Sequence, residues 1–150
     1  MRVSSEIQVG SATVASGASV RVHRCMGAVA GLCEMAVPTA IELSAAPGDA
    51  TRVAIGLEDG TATVFTGFVD SVETRGSYLS VRALDARVTA ARTRVNEVFE
   101  EQTSDAIISD LAGVAGVDLG TIAAGVTVHL YVADDGRSVL RHIEYLAELG

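Results

Sequence analysis

The stretch from Thr51 to Arg94, TRVAIGLEDGTATVFTGFVDSVETRGSYLSVRALDARVTAARTR, decides how the chain folds. It holds three extended runs separated by Asp59-Gly60 and Arg75-Gly76, and glycine supplies the positive φ that tight hairpin turns need. In residues 51–58, Val53, Ile55 and Leu57 fall on one face and Arg52, Ala54 and Glu58 on the other. Residues 77–86 repeat the alternation, with Leu79, Val81 and Ala83 opposed to Tyr78, Ser80 and Arg82. Period two with one apolar side is the signature of a half-buried strand. Between them, residues 62–74 are apolar on both sides through VFTGFVDSV, with Phe65 and Phe68 on opposite faces and Gly67 between them. A strand of that kind belongs inside a barrel or under a partner.

Working outward, residues 19–26 place Val20 and Val22 opposite Arg21 and His23, another half-buried strand. Pro38 marks a strand edge or bend, residues 41–44 read as a short extended piece, and Pro47-Gly48-Asp49 as a turn. After Arg94 the period changes. Thr103-Ser104-Asp105 offers a helix start, Ile107, Ile108, Leu111 and Val114 recur at helical spacing, and Gly116 stops the run. Residues 126–132 (VTVHLYV) read as a strand and Asp134-Asp135-Gly136 as a turn. Ser138 caps a last helix with Leu140, Ile143, Leu146 and Ala147 as its apolar stripe and Gly150 as terminator. The expected fold class is α+β, mainly β, with two or three short helices toward the C-terminus. Residues 1–95 form its strand portion and residues 96–150 a helix-strand-helix portion of the same domain.

Composition narrows the chemistry. The 150 residues carry a formal charge of −8, and all 11 basic residues are arginine. Without lysine, a Walker-type phosphate loop, a Schiff-base enzyme and a Ser–Lys pair are excluded. The acidic balance argues against specific nucleic-acid binding, which rests on phosphate neutralisation. Hydrophobic residues make up 49% of the chain but aromatic ones only 4%, so the core is built from aliphatic side chains. No run of apolar residues is long enough for a transmembrane helix, and residues 1–6 lack a secretory pattern, so the chain reads as soluble and made in the cytoplasm, with no membrane insertion.

Candidate chemical groups are sparse. His23, Cys25, Cys33 and Glu34 are metal-ligand types, but the spacing of structural zinc sites is missing, and buried small hydrophobes are the favoured reading of the cysteines. No nucleophile elbow exists, and His23, His129 and His142 lie in different elements. His129 is expected to face solvent or an interface, and His142 to lie on the polar side of the last helix in a surface ion pair with Glu144. Glu97, Glu100 and Glu101 could supply the carboxylates of a small acidic cell-wall glycosidase, although such a run is more often a solvated face. Asp134-Asp135-Gly136 lacks the ligand pattern of a calcium loop. Arg82, Arg87, Arg92 and Arg94 form the single basic concentration, and intersubunit ion pairs with the acidic run downstream are favoured over an anion site. No catalytic, cofactor-binding or metal residue is assigned. Phe65, Phe68 and these arginines are the interface candidates.

The succession of these segments resembles the phage late-control D family of tail baseplate hub proteins, related to the N-terminal region of type VI secretion spike proteins. The resemblance rests on the strand at residues 48–56, VFTGFVDSV, YLSVRALDA, VFEEQTSDAIISDLAGVAGVDL at residues 98–119, and the ending GRSVLRHIEYLAELG. It covers nearly the whole chain and corresponds to the first barrel and helices of such a protein. Family members continue into a second barrel, so the chain reads as a fragment, a split subunit or a shorter variant. The resemblance implies an antiparallel β-barrel of hub type and a non-enzymatic, cofactor-free role joining tail tube to spike or tip. It also implies a homotrimer, contacts with the tube and spike or tip proteins, and residence in a virion tail or contractile injection particle assembled in a bacterial or archaeal cytoplasm. A monomeric peptide-binding β module is a further alternative.

Overall fold

The alternating text of the first half folds into seven antiparallel strands in a computed structural model of the chain, which describes residues 4–14, 16–25, 29–57 and 60–149. They are β1 (Ser4–Val9), β2 (Ala12–Val14), β3 (Ser19–His23), β4 (Leu32–Pro38), β5 (Ala50–Leu57), β6 (Gly60–Arg75) and β7 (Tyr78–Leu84). Their order in the sheet is β2-β1-β5-β6-β7-β4-β3. The 16-residue β6 organises the sheet, pairing with β5 through its first half and β7 through its second, so that Phe68 lies opposite both Ala50 and Leu84. Register shifts at Val53/Ala54 and Val69/Ser71 are irregularities of the kind that bend a strand and raise its twist. The sheet curls accordingly. Val14 of β2 and Val20 and Val22 of β3, at the two ends of the strand order, join one core with Ile7, Met35, Val53, Phe65 and Val81. The hydrogen-bonded ladder itself ends at β2 and β3.

The middle of β6 differs from its sequence reading. Phe65 and Val69 are buried, while Thr66, Phe68 and Asp70 are exposed, so the strand is covered on one face rather than two. Gly67 lies between the phenylalanines because a Cβ there would run into the Leu84 carbonyl and the Phe65 ring. Residues 41–44 form no strand, but Ile41 and Leu43 still pack against the core. The Pro47-Gly48 turn is present, with Gly48 at φ 95° and the Asp49 carboxylate accepting from Ala46 N–H at 2.8 Å. Gly76 turns β6 into β7 at φ 59°. Met26, Glu58, Asp59 and Gly150, which the sequence reading covers, lie outside the described residues.

The chain divides into two compact units, Met1–Asp85 and Ala86–Gly150, a division that falls before the 95/96 boundary expected from the sequence. The second unit contains α1 (Arg87–Arg92), β8 (Glu97–Thr103), α2 (Ser104–Ala115), β9 (Thr127–Ala133) and α3 (Val139–Ala147). Sequence periodicity finds α2, β9 and α3 but neither α1 nor β8. Helix α2 begins at Ser104 and ends where Gly116 adopts φ 65°, its N–H reaching Ala112 and Gly113 carbonyls. Its face of Ile107, Ile108 and Leu111 is buried, but Val114, expected in the same stripe, is exposed. Ser138 caps α3, its hydroxyl accepting from Arg141 N–H at 3.4 Å. Strands β8 and β9 pair antiparallel as a separate two-stranded ribbon. Phe99 and Ala133 on the inner side of this ribbon share a core with Ile107, Leu111, Val139 and Leu146. Burying each of the two leucines is worth roughly 1.5–3 kcal/mol, which holds a ribbon too small to be stable alone.

Candidate interaction surfaces

Of the sequence-derived interface residues, Phe65 fills the core of the first unit at 3% exposure and offers no surface. Phe68 stands on the outer face of the same sheet, 48% exposed. Arg82 is also on that outer face, opposite Glu34 in the β4–β7 register and 3.9 Å from the Asp70 carboxylate. Around it lies a hollow of 170 Å3 lined by Glu34, Ser71, Glu73, Arg75 and Ser80, in which Arg75 is already paired to Glu73 at 2.7 Å. Arg87 and Arg92 belong to α1 and Arg94 follows it, its guanidinium donating to the Ala91 and Thr93 carbonyls. The four arginines are thus divided between the two units.

The metal-type side chains do not converge. Cys33 points into the core at 0% exposure, and burial, helped by the nearby Glu34 charge, pushes its thiol up to about 11. His23 and Cys25 are exposed, with His23 Nε2 4.0 Å from Glu34. Among the described residues no group of three or more His, Cys, Asp or Glu is placed to hold a metal ion. The acidic run forms β8 with Glu97, Glu100 and Glu101 all exposed. Glu101 has φ 48°, uncommon for a residue with a Cβ, and its carboxylate meets His129 Nδ1 at 2.9 Å. His129 does face solvent. Asp134 closes a turn by accepting from Gly136 N–H at 2.9 Å.

His142 overturns its sequence reading. It is buried at 1% exposure, and Glu144 pairs instead with Arg141 at 2.9 Å. The Asp134 carbonyl lies 3.0 Å from His142 Nε2 and can only accept, which assigns the proton to Nε2. Nδ1 then accepts from the Tyr131 hydroxyl at 2.8 Å. Burial raises the Tyr131 phenol above its ordinary range, and the ring also stacks on Tyr145. This network locks β9 to α3, and both of its partners are satisfied.

Sequence reasoning also missed the outer face of the β8–β9 ribbon. Inward-pointing Tyr131 and Ala133 leave Leu130 and Val132 on the opposite side, 60% and 52% exposed, whereas Val128 at the start of the strand packs against the core. Val98, directly across from Val132, is 61% exposed. Two further hollows lie among the described residues. One, of 390 Å3, is lined by Ser5, Ala18, Val20, Val22, Val53, Ile55 and Val64 of the first unit and holds no titratable side chain among its described lining. The other, of 160 Å3, lies beside Ser104, Asp105, Ile108 and Gly125. No helix among the described residues is long and apolar enough to cross a membrane.

No protein-family model and no curated protein sequence matches the chain. Solved structures do. The fold is similar to that of the 43 kDa tail protein of prophage MuSo2 from Shewanella oneidensis, with TM-score 0.72 and 16% identity over 99% of this chain and 50% of that one. It is equally similar to a tail protein from Neisseria meningitidis MC58, with TM-score 0.72 and 17% identity over 96% of this chain and 45% of that one. The E. coli c3393 protein, described as a type VI secretion component with structural similarity to the T4 tail proteins gp27 and gp5, matches at TM-score 0.51 and 12% identity, over 98% of this chain and 38% of its own. The chain therefore has the fold of phage tail proteins and spans half or less of the length of each of these three.

Proposed function

We propose that the chain is a structural tail protein of hub type, related to the late-control D group, that joins a tail tube to a spike or tip in a phage or contractile injection particle. The observation that carries this reading is the fold likeness over at least 96% of the chain to two phage tail proteins. The sheet of the first unit, curled around a single core, fits the barrel of a hub subunit. The exposed Phe68 and the arginines of the second unit are the contacts such a subunit would offer its neighbours. On this reading the protein acts by assembly, as a trimer, and has no catalytic residues, resident metal or cofactor. The aliphatic lining of the 390 Å3 hollow suits that role better than a glycosidase cleft, which needs facing carboxylates.

The test is assembly. Native mass spectrometry and negative-stain microscopy of the purified chain, alone and mixed with tail tube and spike proteins from the same genome, should give threefold rings that bind both. A strict monomer at high concentration that binds neither protein would overturn the reading.

A further inference from the structure

We infer that the outer face of the β8–β9 ribbon is a docking surface for a protein partner whose contact face is apolar and carries an arginine or lysine. This rests on the ribbon itself and stands apart from the hub reading. Val98, Leu130 and Val132 are 61%, 60% and 52% exposed there, and the register sets Val98 opposite Val132 and Glu100 opposite Leu130. Cross-strand neighbours on one face lie close enough to form a continuous patch, unlike scattered exposed aliphatics. The inner face of the ribbon is covered by α2 and α3 residues, whereas the outer face presents these side chains to water.

Charge selects the occupant. Glu100 sits among the aliphatic side chains, exposed, and its carboxylate has no hydrogen bond or ion pair among the described residues. Among the described residues the face therefore carries a negative charge and no cation paired to it. A second copy laid on it with the twofold axis at Glu100, the centre of the patch, would oppose Glu100 to Glu100, and like charges across an interface work against association. A hydrocarbon surface would desolvate the carboxylate with nothing to pair it. An apolar protein face with one basic side chain opposite Glu100 covers the aliphatics and neutralises the charge. The net charge of −8 would draw such a partner in.

The test titrates the methyl-labelled full chain with three synthetic peptides. Each is an alternating valine strand whose apolar face carries one central arginine, norleucine or glutamate. The arginine peptide should shift the Val98, Leu130 and Val132 methyl signals and bind roughly tenfold more tightly than the glutamate peptide. Glu100→Gln should erase that preference while leaving the methyl shifts. Val132→Glu should abolish binding with the methyl signals of the buried Ile107 and Leu111 unchanged, which excludes unfolding as the cause. Methyl signals unmoved by any peptide, or equal affinity for all three, would overturn the proposal. So would shifts that grow with protein concentration alone, which would make a second copy the occupant.

Discussion

Gly67→Ala adds one methyl group where the β6–β7 pairing leaves no room. The new Cβ would lie 2.8 Å from the Leu84 carbonyl carbon and 2.9 Å from Phe65 Cζ, and closer still to the Leu84 oxygen. Carbon atoms pack best at about 3.5–4.0 Å, so relief requires β7 to move away by nearly an ångström or Phe65 to leave its rotamer. Phe65 is fixed in the core at 3% exposure, so the strand gives way, weakening the ladder beside Phe68↔Leu84. Overpacking costs about 1–3 kcal/mol and a weakened ladder bond about 1 more. Alanine recovers roughly 0.4–1 kcal/mol by restricting the unfolded chain. The net expectation is a loss of about 1–3.5 kcal/mol, centred a little above 2. Gly76→Ala provides the contrast: its Cβ meets nothing within 4 Å, but its φ of 59° is left-handed and costs alanine about 1–2 kcal/mol. Urea unfolding followed by the Val81 and Val53 methyl signals of the first unit measures both. A Gly67→Ala protein as stable as the parent, or more stable than Gly76→Ala, would refute the close-approach argument.

Three further outcomes follow from the second unit and the cysteines. Tyr131→Phe leaves Nδ1 of the buried His142 without its donor, so thermal or urea unfolding should show a loss of about 1–3 kcal/mol; an unchanged midpoint would mean that the bond is absent in solution. Asp105 is held below the usual carboxylate value of 3.8, first by the Thr103 hydroxyl and then by the Gly125 N–H. A depressed folded value stabilises the protein above the unfolded value and is lost as pH falls through the folded one. The stability difference between parent and Asp105→Asn should therefore be constant near neutrality and shrink below pH 3.8, and a difference that persists into strong acid would exclude the linkage. At pH 8 a thiol reagent should label the exposed Cys25 quickly and spare Cys33, which burial pushes up to about 11, until urea is added. Rapid labelling of both in the folded protein would place Cys33 outside the core.

The strands of the first unit were legible because period two and turn glycines act locally. Val53 in β5, and Leu79, Val81 and Ala83 in β7, point inward or pack on the core as alternation requires, and Gly76 turns the chain where it was expected to. What alternation could not show is the covering of β6, because sequence records which side chains are apolar and not how many layers surround them. VFTGFVDSV reads as doubly buried, yet the register shift after Val69 moves the following residues along the ladder and Phe68 stays in water. Helix α1 and strand β8 escaped for a related reason. RVTAAR is too short for helical periodicity to emerge, and EVFEEQT carries its glutamates on a strand whose single buried residue is Phe99.

The acidic run and the last strand show why the candidate surface was harder to read than the fold. In TVHLYVA, Val128, Leu130 and Val132 share one side while His129, Tyr131 and Ala133 share the other. Hydrophobicity alone assigns the valine and leucine side to the core. Val128 does pack against the core, but the structure reverses the rest of the strand, because Tyr131 can satisfy His142 and stack on Tyr145, and Ala133 leaves room for the α3 packing that a larger side chain would block. His142 in turn was read as a surface residue, since its burial depends on a hydroxyl and a carbonyl contributed by a strand and turn that precede it. A strand with apolar character on both sides has spent one face on its own core. The other face is left to water at a standing cost in exposed area. In a chain of 20% charged residues, leaving Val98, Leu130 and Val132 together on that outer face, with Glu100 among them and no cation beside it, is most simply understood as a surface that a partner covers.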